Sequence, residues 1–441
     1  MPNRRNFLAA LATSPFLRGR GGPAPAGPSP RPGLADWTGA PSLDVPPWPA
    51  GSDAEFWDRI RDQFYITPGE AYFNTGTLGA TPRPVLERVI DEMRVLQQTI
   101  TRWDYTAETP NWISGYSPEV PLRQKLGKLV NASAEELAIT QNATFGMNFL
   151  AHGIDLKPGD EVVTTDQEHP GGVCGWQERV KRDGAVWTQV KIPVPANDPD
   201  ELVHLFEAAI TPRTRVIAVP HIISGTAVVM PVKRISQLAR EHHALAIVDG
   251  AQAVGQVAVD LKDIGCDAYY SSPHKWLLAP AGNGMLYIRR DRQDSFWTTL
   301  CSAEWDNHKD GMYRFMQYGT GNPALQAGLD AALDFHFRIG PERVRARIRS
   351  LADRLRAGLK QIPGVKINSP VHPELAGAVA VYSLEGVPAA KLEDELWTRR
   401  HLRPRSVGDP LGIRHSCQIY NSEAEIDSTL EVVRDVAAKR A

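Results

Sequence analysis

Residues 271–276 read Ser-Ser-Pro-His-Lys-Trp, and residues 249–252, a short way upstream, read Asp-Gly-Ala-Gln. Each motif follows a short apolar or aromatic run that is typical of a strand, at residues 245–248 and 267–270. A lysine at the end of a strand can bind an aldehyde covalently if its neighbours lower the pKa of its amine. The two motifs therefore predict a covalent anchor at Lys275.

Pyridoxal phosphate (PLP) is the aldehyde that fits the neighbouring side chains. Ser272 and His274 supply a hydroxyl and an imidazole that can donate to its phosphate, and Asp249 supplies a carboxylate that keeps its ring nitrogen protonated. A surface lysine or a turn-forming aspartate would explain Lys275 or Asp249 taken singly. Their order along the chain, each after its own strand-like run, favours a cofactor site.

These motifs resemble the class V aminotransferase family of fold-type I PLP enzymes, and within it the isopenicillin N epimerase-like branch. The resemblance covers about Tyr72 to Leu430. It implies an α/β fold with a large domain at 81–322, whose mainly parallel sheet is covered by helices. A smaller α+β C-terminal domain is expected at 323–441, and an N-terminal segment at 52–80.

The same fold class follows from the alternation of predicted elements. Apolar strand-like runs alternate with amphipathic helical runs from Leu137 to Asp249, a pattern typical of a parallel sheet covered on both faces. Ligands of such sheets bind at the carboxyl ends of the strands. The candidate residues fall at these ends.

A second predicted site element is the turn at residues 141–146, Gln-Asn-Ala-Thr-Phe-Gly, between a strand and a helix. The first turn of a helix offers unpaired N–H groups and a favourable dipole to an anion. We therefore assign Ala143, Thr144 and Phe145 to the cofactor phosphate. The resemblance further implies that His169 stacks on the pyridine ring and that Gln252 hydrogen-bonds the ring hydroxyl.

Three more residues receive roles through the resemblance. Arg414 lies in an Arg-x-Ser strand and would bind the substrate carboxylate through a two-pronged guanidinium contact, although a lone arginine is usually solvated surface. Asn74 would face the substrate, with a turn-forming role as the alternative. Thr320 would reach the phosphate of a neighbouring subunit and so implies a homodimer with shared active sites, unless its Gly-Thr-Gly sequence is a simple turn.

The predicted catalytic set is Lys275, His169 and Asp249. Lys275 would form the Schiff base and then move the α-proton of an amino acid or an amino-acid-derived peptide or metabolite. An aminotransferase-like or epimerase-like reaction is favoured, with carbon–sulfur lysis or oxygen-dependent oxidation as alternatives. Residues 403–413 lack the cysteine that family desulfurases carry there. A non-catalytic PLP sensor would need an output module such as a helix-turn-helix, and the sequence contains none.

Composition restricts the remaining partners. The 441 residues carry a net charge of −2 and form no concentrated basic stretch, so nucleic acid is not an expected partner. The four cysteines are scattered without the spacing of a metal site, and no metal is predicted. A small-molecule or peptidic amine is the expected substrate.

The N-terminus predicts export. Arg4-Arg5 precede a short apolar segment and a small-residue cleavage site, which resembles a twin-arginine signal at 1–26, although an accidental basic start would look similar. Residues 27–51 are rich in proline and glycine and are interpreted as a linker. We therefore expect a periplasmic protein that uses the twin-arginine machinery and has no stable membrane anchor.

Overall fold

The computed structural model describes residues 53–102 and 117–439. The strands are β1 (Ala71–Tyr72), β2 (Leu137–Thr140), β3 (Glu161–Thr165), β4 (Val186–Val190), β5 (Thr214–Pro220), β6 (Leu245–Asp249), β7 (Ala268–Ser271), β8 (Gly284–Ile288), β9 (Val365–Ile367), β10 (Val379–Leu384), β11 (Leu402–Arg403), β12 (Arg405–Gly408) and β13 (Gly412–Ser416). The helices are α1 (Asp53–Arg61), α2 (Arg83–Thr99), α3 (Val120–Val130), α4 (Ala143–Gly153), α5 (Pro170–Asp183), α6 (Pro199–Ala209), α7 (Val232–Glu241), α8 (Leu261–Ile264), α9 (Pro323–Ile339), α10 (Pro341–Leu359), α11 (Ala389–Arg400) and α12 (Glu423–Ala438).

A seven-stranded sheet in the order β2-β8-β7-β6-β5-β3-β4 organises the fold. Only β8 runs antiparallel to its neighbours, and the other strands share one direction. Strands such as β3 are buried along their whole length because helices cover both faces. The predicted α/β class with a mainly parallel sheet is therefore confirmed.

A second, antiparallel sheet in the order β12-β13-β10-β9 follows in the C-terminal part. Its inward side chains join α10, α11 and α12 in a hydrophobic core separate from that of the large sheet. The boundary predicted at residue 322 stays a prediction, but the structure does begin α9 at Pro323, where Asn322 caps the helix by accepting from the Ala324 N–H.

The sequence predicts a long helical region that starts near Pro323 and continues through Phe335 to Leu359, and the structure divides this region into two helices. Gly340 separates α9 from α10 with φ of 97°, a conformation that favours glycine, and Pro341 then starts the second helix. The aromatic-rich segment 101–121 is predicted to be a substrate-lining loop, with packed surface as the alternative, and it falls mostly on residues 103–116, which lie outside the described residues.

Two features of the fold form the site. The adjacent parallel strands β6 and β7 end at Asp249 and Ser271, so the motifs that follow them meet at one sheet edge. The segment after β1 crosses this edge: Asn74 forms a bridge with Ser416 of β13, and the Gly79 N–H donates to the His274 carbonyl at 2.9 Å. Within residues 53–102 and 117–439, no helix is long and apolar enough to cross a membrane.

Candidate active site

A cavity of about 270 Å³ opens at the carboxyl ends of β5, β6 and β7. It is lined by residues from seven parts of the chain: Gly76, Thr77, Asn142, Ala143, Thr144, His169, Gly171, Gly172, Pro220, Ile222, Ser224, Asp249, Ala251, Gln252, Ser272, His274, Lys275 and Arg405. Eight of these residues are site residues predicted from the sequence. They lie far apart along the chain, and the fold brings them to one cavity.

Lys275 occupies the turn after β7, and its N–H donates to the Ser272 carbonyl at 3.1 Å. Burial lowers the pKa of its amine to about 8, and the positive charges of Arg414 and Arg405 act in the same direction, while Asp249 opposes them. A lysine with this pKa has a sizeable neutral fraction near pH 8. The amine is therefore suited to act as a nucleophile and as a base.

Asp249 lies at the end of β6 and beneath the same cavity. Its Oδ1 accepts from the Ala251 N–H at 2.8 Å, and the Tyr270 hydroxyl lies against the carboxylate. Burial raises the pKa of Asp249, whereas the Ala251 bond, the charge of Lys275 and Tyr270 lower it. A buried carboxylate of this kind is stabilised by a ligand that brings a positive charge.

Glu168 lies behind this carboxylate and does not line the cavity. Its Oε1 accepts from both the N–H and the hydroxyl of Thr165, at 3.1 and 2.8 Å. Burial raises the pKa of Glu168 to about 8, with a smaller contribution from the charge of Asp249. The raised pKa favours the protonated form of Glu168 at neutral pH.

His169 is fixed by the helix that follows it. Its Nδ1 accepts from the Gly171 N–H at 3.1 Å and so caps α5, which starts at Pro170. Burial lowers the pKa of His169, and the charges of Lys275 and Arg405 add to this effect. The ring is therefore neutral at neutral pH, with its proton on Nε2.

The N-terminus of α4 faces Ser272 and His274. Asn142 caps the helix by accepting from the Phe145 N–H at 3.1 Å, and the Ala143 N–H donates to the Ser272 hydroxyl oxygen at 3.0 Å. His274 lines the cavity, and its buried Nδ1 has no hydrogen-bond partner. An unpaired polar atom beside a helix N-terminus fits an anion such as a phosphate.

Arg414 on β13 is only 2% exposed. One terminal nitrogen donates to the carbonyl and the hydroxyl of Ser224, at 2.9 and 3.1 Å, and the other donates to Asn74 Oδ1 at 3.1 Å and Thr77 Oγ1 at 3.2 Å. Its buried Nε has no partner. Burial lowers the pKa of the guanidinium to about 10, as expected for a buried cation that lacks a counter-ion.

Other predicted residues lie close to the cavity or away from it. Gln252 lines it, but its side chain is already bonded to the Gly76 carbonyl and the Trp276 indole at 2.7 and 2.8 Å. Phe145 packs on Phe149 and does not line the cavity, although its N–H lies in the α4 cap. Asn74 reaches the site through Arg414, and Thr320 is exposed in its turn.

The sequence analysis missed several lining residues. Gly172 follows the predicted His169, and a Cβ at this glycine would lie 2.6 Å from Asp249 Oδ2. Thr77 and Ser224 bind Arg414, and Arg405 lines the cavity directly. Ser224 lies in a loop after β5 and has no distinctive pattern, whereas the sequence places Arg405 with His401 and Arg403 before the Arg-x-Ser strand as candidate substrate contacts without ranking them.

The residues present fit PLP. Lys275 supplies an amine of lowered pKa, and Asp249 supplies a buried carboxylate for the ring nitrogen. The first turn of α4, Ser272 and the unpaired His274 Nδ1 form a site for the phosphate, here called the anion cradle. Fold and site together define a PLP-dependent enzyme of fold type I. Residues 80–428 match the protein family described as Aminotransferase class-V, and the chain belongs to this family.

The similar proteins carry several activities. Isopenicillin N epimerase of Amycolatopsis lactamdurans is 31% identical over 405 residues, covering 87% of this chain and 99% of the relative. Cysteine desulfurase of Haloferax volcanii is 27% identical, covering 85% and 96%. The structure of the cystine C–S lyase C-DES with cysteine persulfide has a TM-score of 0.76 at 26% identity, covering 85% of this chain and 99% of that one. Membership of the family thus leaves the reaction open.

Proposed function

We propose that the protein removes and returns the α-proton of an amino acid or aminoacyl substrate, and that its reaction is epimerisation at this carbon. The observation that carries the proposal is the position of Lys275, which lines one cavity with the Asp249 carboxylate and with Ser272 and His274. The similarity to isopenicillin N epimerases supports the reaction type.

The chain's own residues would divide the work as follows. PLP, when bound, withdraws electrons from the α-carbon and makes its proton acidic. Lys275 anchors the cofactor and carries the proton at Nζ, while Asp249 stabilises the positive ring nitrogen. His169 orients the ring, since its Nδ1 is held as the acceptor of the Gly171 N–H, and its Nε2–H is the group that would move a proton. Arg414 supplies a positive charge for the substrate carboxylate, with its Nε–H as the donor that has no protein partner.

Transamination is the other outcome of the same proton transfer. It needs a keto acid to regenerate the amine acceptor, whereas epimerisation needs no second substrate. We rank epimerisation first because this chain is similar to two isopenicillin N epimerases over 99% and 96% of their length.

Carbon–sulfur lysis is a second candidate, favoured by the similarity to the cystine C–S lyase. A persulfide relay through a cysteine has no support, because no cysteine lines the cavity among the residues that the structure describes. Cys417 is fully buried in the C-terminal core, and burial raises the pKa of its thiol to about 12. A lyase reaction would therefore proceed without a cysteine nucleophile from these residues.

The test is α-proton exchange. The PLP-loaded protein is incubated in D₂O with a panel of amino acids and short peptides, and the loss of the α-proton signal is followed by NMR. Chiral chromatography then detects inversion, added keto acid detects transfer, and cystine or cysteine as substrate detects released sulfide. Exchange with inversion supports epimerisation. Exchange without inversion, or sulfide release, moves the assignment to the other reactions.

We also propose a periplasmic homodimer. The support is the Arg4-Arg5 motif for export and the exposed Thr320 turn for a shared site. Cell fractionation of the full chain against an Arg4→Lys, Arg5→Lys double variant tests export, and retention of the wild-type chain in the cytoplasm contradicts it. Analytical ultracentrifugation tests the dimer.

A further inference from the structure

Two arginines lie directly opposite each other on neighbouring strands at the cavity. Arg405 of β12 pairs with Arg414 of β13 in the antiparallel register. Residues in this relation point to the same face, with Cβ atoms about 5 Å apart, and like charges there are destabilising. Arg405 is exposed, so water screens part of this repulsion, but Arg414 is buried, and an anion beside the two guanidinium groups would stabilise the pair further.

No acidic side chain supplies that anion within the part of the chain that the structure describes. Arg405 donates to Thr77 Oγ1 at 2.8 Å, and Arg414 donates to the same oxygen at 3.2 Å. The two nitrogens therefore lie no more than 6.0 Å apart, the sum of the two distances. Neither guanidinium has a carboxylate within 4 Å among these residues. Two cationic groups thus share one neutral hydroxyl.

The two arginines differ in how many guanidinium N–H groups remain available to a ligand. Arg414 is buried and uses both terminal nitrogens within the protein, whereas Arg405 lines the cavity and uses one nitrogen on Thr77. Arg405 also lies close enough to Lys275 and His169 for its charge to lower the pKa of both. Its free N–H groups therefore face the space beside the reacting amine.

Charge balance then points to the substrate. The carboxylate of Asp249 is matched by the ring nitrogen, and the anion cradle at α4 is formed by Ala143 and Ser272, which are different residues from the Thr77 pair. One substrate carboxylate balances one guanidinium, which leaves the other without a counter-ion. We infer that Arg405 binds a second acidic group, so that the substrate is an α-amino acid or aminoacyl group with an acidic side chain. This inference rests on the proposed function.

Isosteric substrate pairs test the inference. Glutamate against glutamine, and aspartate against asparagine, differ in one charge and little in shape, and α-proton exchange in D₂O gives kcat/KM for each. We expect the wild-type protein to prefer the acid of each pair. Arg405→Gln should lower kcat/KM for the acids about 10- to 100-fold and change the amides little, because a charged hydrogen bond is lost. Arg405→Lys should retain part of the preference.

Arg403→Gln is the matched control. It removes a positive charge two residues away, but Arg403 packs over the Trp397 ring at 4.1 Å and does not line the cavity. This variant should keep the preference for acids. An equal loss on acids and amides in Arg405→Gln would overturn the inference and assign Arg405 to the α-carboxylate instead.

Binding without turnover separates the inference from the proposed function. Glutarate has two carboxylates and no amine, so calorimetric titration of the PLP-loaded protein reports the anion sites alone. We expect glutarate to bind and Arg405→Gln to weaken it about tenfold or more. If no amino acid undergoes exchange but glutarate binding depends on Arg405, the proposed function fails and the anion site stands. Exchange with no preference for acids, together with glutarate binding that ignores Arg405, overturns the inference.

Discussion

The two sides of the cavity are built differently. The lysine side consists of Asp249, Ser272, His274 and Lys275 with the first turn of α4, and it comes from the segments that follow β2, β6 and β7 of one sheet. The arginine side consists of Asn74, Thr77, Ser224, Arg405 and Arg414. Its contacts join residues up to 340 positions apart, from the crossing segment and the C-terminal sheet.

This difference predicts that the cofactor chemistry depends on the lysine side and the substrate specificity on the arginine side. On the lysine side the backbone of the parallel sheet fixes the groups that a common cofactor needs. On the arginine side, side chains from separate sheets meet, so single substitutions can change the substrate without disturbing the cofactor. Variants on the two sides should therefore have separable effects.

The largest expected effect is that of Lys275→Ala. Because Lys275 is the amine that anchors the cofactor and moves the proton, its loss should lower the rate of α-proton exchange about 1,000-fold or more. The visible absorbance band of lysine-bound PLP should disappear as well. NMR exchange and absorbance spectra measure the two effects, and Lys191→Ala, at an exposed lysine, should change neither. Borohydride reduction that still labels the Lys275→Ala variant would contradict the assignment.

Asp249→Asn should separate stability from function. Burial raises the pKa of Asp249, so above the unfolded-state pKa of about 3.9 its charged form destabilises the cofactor-free protein. The amide removes this charge, and we expect a higher unfolding temperature for the cofactor-free variant at pH 7. The PLP-loaded variant should exchange α-protons about 100-fold more slowly because the ring nitrogen loses its partner.

Calorimetry of the cofactor-free protein and exchange kinetics of the loaded protein measure the two opposite changes. Asp394→Asn is the control, since this carboxylate is exposed on α11. Both quantities should stay unchanged in the control. A cofactor-free Asp249→Asn protein that unfolds at a lower temperature would contradict the proposed burial effect.

The sequence predicted the lysine side well because its signals are local. Asp249 and Lys275 each follow an apolar strand, and the cap at Asn142 lies in one short turn, so motif order and periodicity were sufficient. The parallel sheet followed from the same alternation.

The arginine side could be predicted only in part. Arg405 has no distinctive local pattern, and its importance depends on the register that places it opposite Arg414. β12 and β13 are joined by only three residues, but the register between them contains an irregularity between Ser406 and Gly408 that a single sequence does not reveal. Thr77 was missed for a different reason, since its partners lie more than 300 positions away.

Two glycine substitutions test whether variants on the lysine side and on the arginine side of the cavity have separate effects. A Cβ at Gly172 would lie 2.6 Å from Asp249 Oδ2, whereas a Cβ at Gly76 would lie 3.1 Å from a terminal nitrogen of Arg414. Gly172→Ala should weaken PLP binding about 5- to 100-fold through overpacking against the carboxylate. Gly76→Ala should raise KM for the substrate and leave PLP affinity unchanged. Fluorescence titration with PLP and exchange kinetics measure both.

Gly225→Ala is the control for this pair, because its Cβ would meet only Leu411 at an ordinary 3.7 Å. It should alter neither quantity by more than about twofold. Equal losses of PLP affinity in Gly172→Ala and Gly76→Ala would show that the two sides respond as one unit, contrary to the comparison.

The smallest expected effect concerns the anion cradle. Asn142→Ala removes the cap that accepts from the Phe145 N–H, which should lower the free energy of unfolding by about 1 kcal/mol. Asp198 caps α6 in the same way, far from the cavity, by accepting from the N–H groups of Asp200 and Glu201. Asp198→Ala should lose similar stability. Only Asn142→Ala should also weaken PLP binding, by about fivefold, because the first turn of α4 holds the phosphate. Equal PLP affinity in the two variants would remove α4 from the cofactor site.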